Sequence, residues 1–503
     1  MAGDAVKEVS VSEAESSGEI TAAGVQRGVQ SLDSIVNADM EATTVPGVAV
    51  GVVFEGRVLY SKGFGVRQVG QPGAIDARTV FQLASLSKSI SSTVVAAAVK
   101  QKKVAWTDPI QKGLPNFTLS DPWVSSHVTI ADMFSHRSGL PDHSGDLLED
   151  LGYSRDEILQ RLRYEPLGAF RIDYAYTNYG LTTGGLAAAK LAGQLWPDLA
   201  QMEVFRPLGM TSTSFRFSDL QQRSNRAALH VKVDGHWRPD LGWDPDRQAP
   251  AGGVTSSVED MEKWMTMLLA DGKYDGQEII DTAGLQELWA PQVVRQPAAK
   301  IGARTGFYGL GWNIDYDSSG RLLVQHSGAF GHGAATHVLL VPAARLGIVT
   351  LTNAYPVGLP EAINNSFLDE VKYGRQTQDW LQVFGQAFQG LRTPPPGTPD
   401  FSKPPATVTP AQPAAAYTGT YASPFWGDLV VTETNGGLTF HIGPKDMNFP
   451  LTHYTGDQFY FETQGESRTG KSGATFTVSD GRAIAVVISA WNANGLGTFS
   501  RPA

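Results

Sequence analysis

The sequence predicts an α+β domain, an antiparallel sheet with a helical middle, followed by a small all-β domain. Three observations carry this. Strand-like runs lie on both sides of a long helical stretch, near residues 45–61 and again from 321 to 352. Residues 394–413 hold eight prolines in twenty positions, the composition of a semi-rigid extended linker. Beyond it, from Tyr417, short alternating runs are separated by turn residues, the pattern of a small barrel or sandwich.

Taken in order, residues 1–25 are acidic and rich in small residues and read as a flexible arm. Val45 to Phe54 is a β-rich run, Glu55-Gly56 signals a turn, and Arg57 to Ser61 returns as a second strand. A helix is expected from about Leu83 to Lys100, where Ala, Val and Ile alternate with serines. The middle mixes loops with helical pieces such as 181–191 and 258–269. Strands are expected at 321–325, 335–341 and 347–352, then a helical pattern near 361–371. In the tail, Asn435-Gly436-Gly437 joins two strands, and further strands are expected at 459–463, 474–478 and 483–490. The expected domains are thus 1–25, 26–393, the linker 394–413 and a C-terminal 414–503.

Composition removes several function classes. With 42% hydrophobic and 18% charged residues the chain is globular, with ample material for a core. A net charge of −10 repels nucleic acid. No apolar run approaches the roughly 18–20 residues that cross a bilayer, so no membrane span is expected. Absence of cysteine excludes disulfides, thiolate metal sites and a cysteine nucleophile. The N-terminus has neither a secretory nor a transit pattern. The compartment stays open: cytoplasmic is the expectation for the sequence as written, periplasmic or secreted if a signal was removed.

Three short motifs carry chemistry. Ser85-Leu86-Ser87-Lys88 is a Ser-x-x-Lys, and on a helix positions i and i+3 share a face. A desolvated lysine there can take the serine proton. Such a pair also recurs by chance, but a lone lysine in an Ala/Val/Ser/Ile helix is a poor solvated residue. Tyr176-Thr177-Asn178 supplies a hydroxyl able to relay protons and an amide able to orient a lysine or a substrate, or else a packed loop tyrosine with a local turn bond. His-x-Gly occurs at His143, His326 and His441; only His326-Ser327-Gly328 lies on the edge of the main domain's sheet. His127, His136, Asp142 and His143 are crowded but match no zinc-hydrolase spacing, and Gly-x-Ser-x-Gly is absent, which removes an α/β-hydrolase.

Ser-x-x-Lys, Tyr-x-Asn and His-x-Gly, in that order, resemble the penicillin-recognising serine hydrolases. The flanking stretches VPGVAVGVV, FSHRSGLP, FRPLGMTSTSF, PAGGVTSSVEDMEKWM and YGLGW resemble the class C β-lactamase-like branch, which includes D-aminopeptidases, esterases and D-specific peptidases. The resemblance covers about residues 30–370, and the tail, with YTGTYASPFWGDLVV, resembles a lipocalin-like barrel. It implies a β-lactamase/transpeptidase-like domain followed by that barrel. It implies Ser85 as nucleophile, Lys88 as base, Tyr176 as proton relay and Asn178 as substrate-orienting group. It also implies His326 in the third motif and an oxyanion hole from the backbone N–H groups of Ser85 and Ala329, just after Gly328.

The expected activity is hydrolysis of amide or ester bonds in small substrates or peptides through a Ser85 acyl-enzyme. Relatives that bind penicillin usually carry Lys-Thr-Gly where this chain has His326-Ser327-Gly328. A histidine there is mostly neutral at pH 7, which argues against recognising a β-lactam or D-Ala-D-Ala carboxylate. Asp240, Asp244 and Asp246 precede the glycine turn, and one of them, with Asp244 the working choice, could hold a substrate ammonium; solvated loop acids are the alternative. His136 reads as a structural histidine, and Trp312 as either a pocket or a core residue. The rival functions are β-lactamase or D-alanyl-D-alanine carboxypeptidase activity, and a non-catalytic acylated sensor. No metal or organic cofactor is implied. The barrel's role is open among gating, building a homo-oligomer and simple stabilisation.

Overall fold

The computed structural model describes residues 18–240, 243–390 and 399–502. Most of the expected arm (1–17) and part of the expected linker (394–398) lie outside the described residues. The chain divides into two compact units, Met1–Val104 with Gln194–Leu391, and Ala105–Gly193 with Arg392–Ala503.

The first unit is built on an eight-stranded antiparallel sheet. Its strands are β1 (Gly47–Phe54), β2 (Arg57–Gly65), β3 (Val293–Gln296), β4 (Gly306–Tyr308), β5 (Asn313–Tyr316), β6 (Leu322–Phe330), β7 (Ala334–Val341) and β8 (Leu346–Thr352), in the spatial order β2-β1-β8-β7-β6-β5-β4-β3. Strands from both ends of the unit thus meet at β1 and β8, with Val50 opposite Thr350. β1, β7 and β8 are buried along their whole length, because both faces of the sheet are covered. On one face helices α1 (Ala22–Thr43) and α5 (Leu359–Tyr373) lay Val25, Leu32, Val36, Ile363 and Phe367 against Val48, Val50 and Val52 of β1. Each such side chain contributes about 1.5–3 kcal/mol when fully withdrawn from water. The other face carries α4 (Val258–Leu269), which begins at the N-cap Ser257 as its sequence pattern requires. α1 begins inside the segment expected as an arm, capped by Thr21, whose hydroxyl accepts from Gly24 N.

Two local departures from expectation matter for the site. The stretch expected as one helix from Leu83 begins as a 3-10 turn, Ala84–Leu86, and becomes helix α2 only over Ser87–Lys100. The strand expected to stop at Gln325 runs on to Phe330, so His326, Gly328 and Ala329 are ladder residues opposite Val338, Thr336 and Ala335.

The second unit joins a helical segment to an all-β domain. Its central helix α3 (Asn178–Leu191) is buried on nearly every side by the short helices Ile110–Gly113 and Ile130–Phe134. Asp132, fully buried, caps the latter helix and pairs with Arg137 and Arg171 at 2.9 Å each. Burial raises its carboxyl, but Arg171, Thr129 and Arg137 more than offset this and hold it low.

The C-terminal strands are β9 (Gly419–Ser423), β10 (Gly427–Thr434), β11 (Gly437–Ile442), β12 (Met447–Pro450), β13 (Thr452–Thr455), β14 (Gln458–Glu462), β15 (Lys471–Ser479), β16 (Arg482–Ile488) and β17 (Thr498–Ser500). They form one antiparallel meander in the order β12-β11-β10-β9-β17-β16-β15-β14-β13. β17 pairs with β9 and the consecutive strands β12 and β13 form the two edges, which makes a nearly closed barrel. Its interior is filled by rings: Tyr421, Phe440, Phe461, Phe476, Trp491 and Phe499 are buried, and Phe440 meets Phe461 at 5.8 Å.

Candidate active site

In the first unit the backbone enters Ser85 through a strained turn. Ala84 sits at φ 48°, a left-handed conformation that costs an alanine roughly 1–2 kcal/mol and persists only where the surroundings enforce it. The surroundings are specific. Leu83 N donates to Val254 O at 2.9 Å, and Thr336 Oγ1 donates to Leu83 O at 2.8 Å. Strand β6 lies directly against the turn at Gly328. A Cβ there would fall 2.1 Å from Leu83 O and 3.0 Å from Leu86 N, so only glycine fits.

Lys88 is fully buried, with Nζ 2.9 Å from Ser85 Oγ and 3.1 Å from Ala251 O. The serines of α2 explain how a polar helix is held in the interior. Ser87 Oγ accepts from Val254 N, Ser89 Oγ donates to Gly311 O and Ser91 Oγ donates to Pro250 O, which tie the helix to the glycine turn and to the YGLGW stretch. Trp312 of that stretch is a core residue, stacked on Trp264 at 5.5 Å.

His326 lies on β6 two residues before Gly328. Its Nδ1 is 2.6 Å from Ser327 O and so carries the proton, while Nε2 accepts from Tyr308 Oη at 2.9 Å. Burial, reinforced by the nearby Lys88 charge, pushes its pKa down to about 3 and keeps the ring neutral. Ala329, next on the strand, is exposed. Of the three aspartates, Asp244 is exposed and accepts from Asp246 N, and Asp246 accepts from Phe217 N. Asp240 instead pairs with His332 Nδ1 at 2.8 Å.

In the second unit Tyr176 and Asn178 stand at the start of α3, either side of its N-cap Thr177. Asn178 Nδ2 donates to Asp146 Oδ2, which also faces His143 Nδ1, both at 2.8 Å. His143 N donates to Tyr176 O at 2.7 Å. His136 is buried; its Nδ1 accepts from Thr177 N at 3.1 Å and its ring lies 4.6 Å from that of Tyr176. That bond ties His136 to the segment between Tyr176 and Asn178. Sequence reasoning missed Asp146 and Tyr308, and only Tyr308 had a signal, its place in YGLGW. Among the described residues no group of three or more His, Asp or Glu side chains could hold a metal ion, and no helix is long and apolar enough to cross a membrane.

The Beta-lactamase family profile matches residues 32–371, a span that contains all three motifs. The chain belongs to the Beta-lactamase family. A second profile, described as a domain of unknown function (DUF3471), matches residues 403–495 of the barrel end. Among curated relatives, this Beta-lactamase family chain is 25% identical over 445 residues to the "Unguisins hydrolase ungD'" of Aspergillus campestris, covering 84% of this chain and 81% of that one. Two solved structures share its fold at 19% identity. The octameric penicillin-binding protein homologue from Pyrococcus abyssi has a TM-score of 0.60, with 92% of this chain and 98% of that chain covered. The class C beta lactamase from Rhodobacter sphaeroides has a TM-score of 0.56, with 67% and 98% covered. The fold is therefore β-lactamase/transpeptidase-like with a C-terminal barrel, as the resemblance implied.

Proposed function

We infer that the chain is a serine hydrolase that cleaves amide or ester bonds of small substrates or peptides through an acyl-enzyme on Ser85. The observation that carries this is the buried Lys88 amine 2.9 Å from the Ser85 hydroxyl, on a turn whose shape the neighbouring strand imposes. Lys88 takes the proton as Ser85 Oγ attacks the scissile carbonyl. The oxyanion is received by the backbone N–H groups of Ser85 and Ala329, donors worth about 3–4 kcal/mol each to an acyl-transfer transition state. Tyr176 returns a proton to the leaving group, Asn178 orients the substrate, and water then releases the acyl group. His326 acts by positioning, because both its ring nitrogens are engaged with Ser327 and Tyr308.

A D-aminopeptidase or esterase type is favoured over a β-lactamase or D-alanyl-D-alanine carboxypeptidase, since a neutral His326 offers no fixed charge to a substrate carboxylate. A relative named as a hydrolase supports turnover over a one-time acylated sensor. The test is steady-state hydrolysis of p-nitrophenyl acetate and of D- and L-alanine p-nitroanilides by the full chain. Catalytic turnover of at least one, lost in Ser85→Ala, is expected. A single stoichiometric burst would transfer the reading to the sensor, and preferential cleavage of a cephalosporin would transfer it to the β-lactamase. The octameric state named for the Pyrococcus abyssi homologue extends to this chain as a proposal, checked by light scattering of the full chain.

A further inference from the structure

In the second unit the short helix Asp146–Asp150 is gripped at both ends. At its start Asp146 Oδ2 accepts from Asn178 Nδ2 at 2.8 Å, and just before it His143 N donates to Tyr176 O at 2.7 Å. Its N-cap Gly145, at φ 90°, lies so close to α3 that a Cβ would fall 3.1 Å from the Tyr179 ring. This end is therefore fastened to the Tyr176-Thr177-Asn178 motif.

The far end is fastened to the barrel domain. Asp150, 5% exposed, accepts from Glu466 N at 2.8 Å through Oδ1 and from Ser467 N at 2.9 Å through Oδ2. The barrel loop passes so near that a Cβ on Gly465, itself at φ 95°, would lie 2.4 Å from Asp150 Cγ, so the approach requires glycine. Leu151 O, one residue on, accepts from Lys445 N at 3.2 Å. A second route reaches the near end. Asn494 Nδ2 donates to Glu165 Oε2 at 2.9 Å, and the buried Glu165 carboxyl also faces Ser144, the residue between His143 and Gly145.

A five-residue helix is about 7 Å long and too short to be stable in isolation, so the groups that grip its ends decide its order and place. Its own hydrogen bonds keep that length nearly fixed, so a displacement at Asp150 is passed to Asp146. We propose that the barrel is a positioning element for the active site: through this helix it holds Asp146, and with it the Asn178 amide. Asp146 and Asp150 are then positioning residues for the hydrolysis. The proposal rests on Asn178 orienting the substrate, and it gives the barrel a part in turnover.

The experiment is a double-mutant cycle on the full-length chain. It reads kcat/KM on whichever of p-nitrophenyl acetate and the alanine p-nitroanilides the wild type cleaves fastest, beside the melting temperature. Asp150→Ala is expected to lower kcat/KM about tenfold, as a small misplacement of an orienting group does. Asp150→Asn, which keeps one acceptor oxygen, restores part of the loss. Asn178→Ala costs at least as much. Adding Asp150→Ala to Asn178→Ala lowers kcat/KM no further, while the melting temperature falls by the same amount in either background. Asn494→Ala, on the second route, shows a smaller loss with the same dependence on Asn178, and decides the matter where Asp150→Ala fails to fold. Unchanged kcat/KM in the Asp150 and Asn494 variants, or equal losses with and without Asn178, overturns the coupling and leaves the hydrolase reading intact. Unchanged kcat/KM in Asn178→Ala overturns the orienting role of that amide, and the proposal with it.

Discussion

Ser85 sits where three constraints converge: the left-handed Ala84, the Lys88 amine and the glycine of β6. Each can be changed singly. Lys88→Met keeps the buried chain length but removes the base, and kcat is expected to fall about 10²–10⁴-fold while the fold persists by circular dichroism. Retained kcat would remove Lys88 from the mechanism. Gly328→Ala places a methyl carbon into Leu83 O, with no flexible side chain to give way. It is expected to move the Ser85 turn, abolish activity and cost about 1–3 kcal/mol of stability. An active Gly328→Ala with an unchanged melting temperature would show that the turn tolerates displacement. The pairing of Ser85 with Lys88 was legible from their spacing, because i and i+3 positions remain neighbours even through a 3-10 turn. The strain at Ala84 was not legible, since no sequence signal marks an alanine whose φ is imposed by a strand some 240 residues away.

Among the elements, the contact within the second unit between barrel loops and the helical segment is the least expected. The buried Asp150 carboxylate accepts from Glu466 N at 2.8 Å and Ser467 N at 2.9 Å, and Tyr153 Oη donates to Trp426 O at 2.7 Å. Arg161 donates to Pro424 O and Phe425 O, and Asn494 donates to Glu165. Gly443 is needed at one such crossing, because a Cβ would lie 2.5 Å from Leu151 O. Asp150→Ala leaves two backbone donors unpaired and is expected to cost about 1–3 kcal/mol, read as a lower melting temperature and faster proteolytic release of the barrel. No change in either would make this contact energetically idle. Elements whose own pattern sufficed, such as α4 and the β10–β11 hairpin around Asn435-Gly436, were read correctly from sequence. Pairings between segments some three hundred residues apart, as of Asp150 with Ser467, carry no local signal.

For the whole molecule, buried titratable groups set how stability follows pH. Burial pushes the carboxyls of Glu165, Glu262 and Glu361 up to about 7 from 4.5. Between those values the folded chain holds protons that the unfolded chain has released, so the stability these groups give below pH 4.5 is lost as pH rises through 7. His326 and His337, pushed down to about 3 by burial, work the other way: their contribution is lost as pH falls from 6.5 through 3. Glu361→Gln removes one buried acid, so its urea midpoint is expected to exceed that of the wild type by more at pH 8 than at pH 5. An equal difference at both would contradict the raised carboxyl. At this scale the α+β class, the terminal barrel and the motif order were legible from strand placement and the proline run. The grouping of residues 105–193 with the barrel was not, because it depends on tertiary contacts alone. The central claim is that Ser85 is a nucleophile activated by Lys88. Its most direct test is intact-protein mass after exposure to a fluorophosphonate, on wild type, Ser85→Ala and Lys88→Met. One adduct on wild type, none on Ser85→Ala and strongly slowed labelling of Lys88→Met are predicted; an adduct that survives Ser85→Ala would contradict the account.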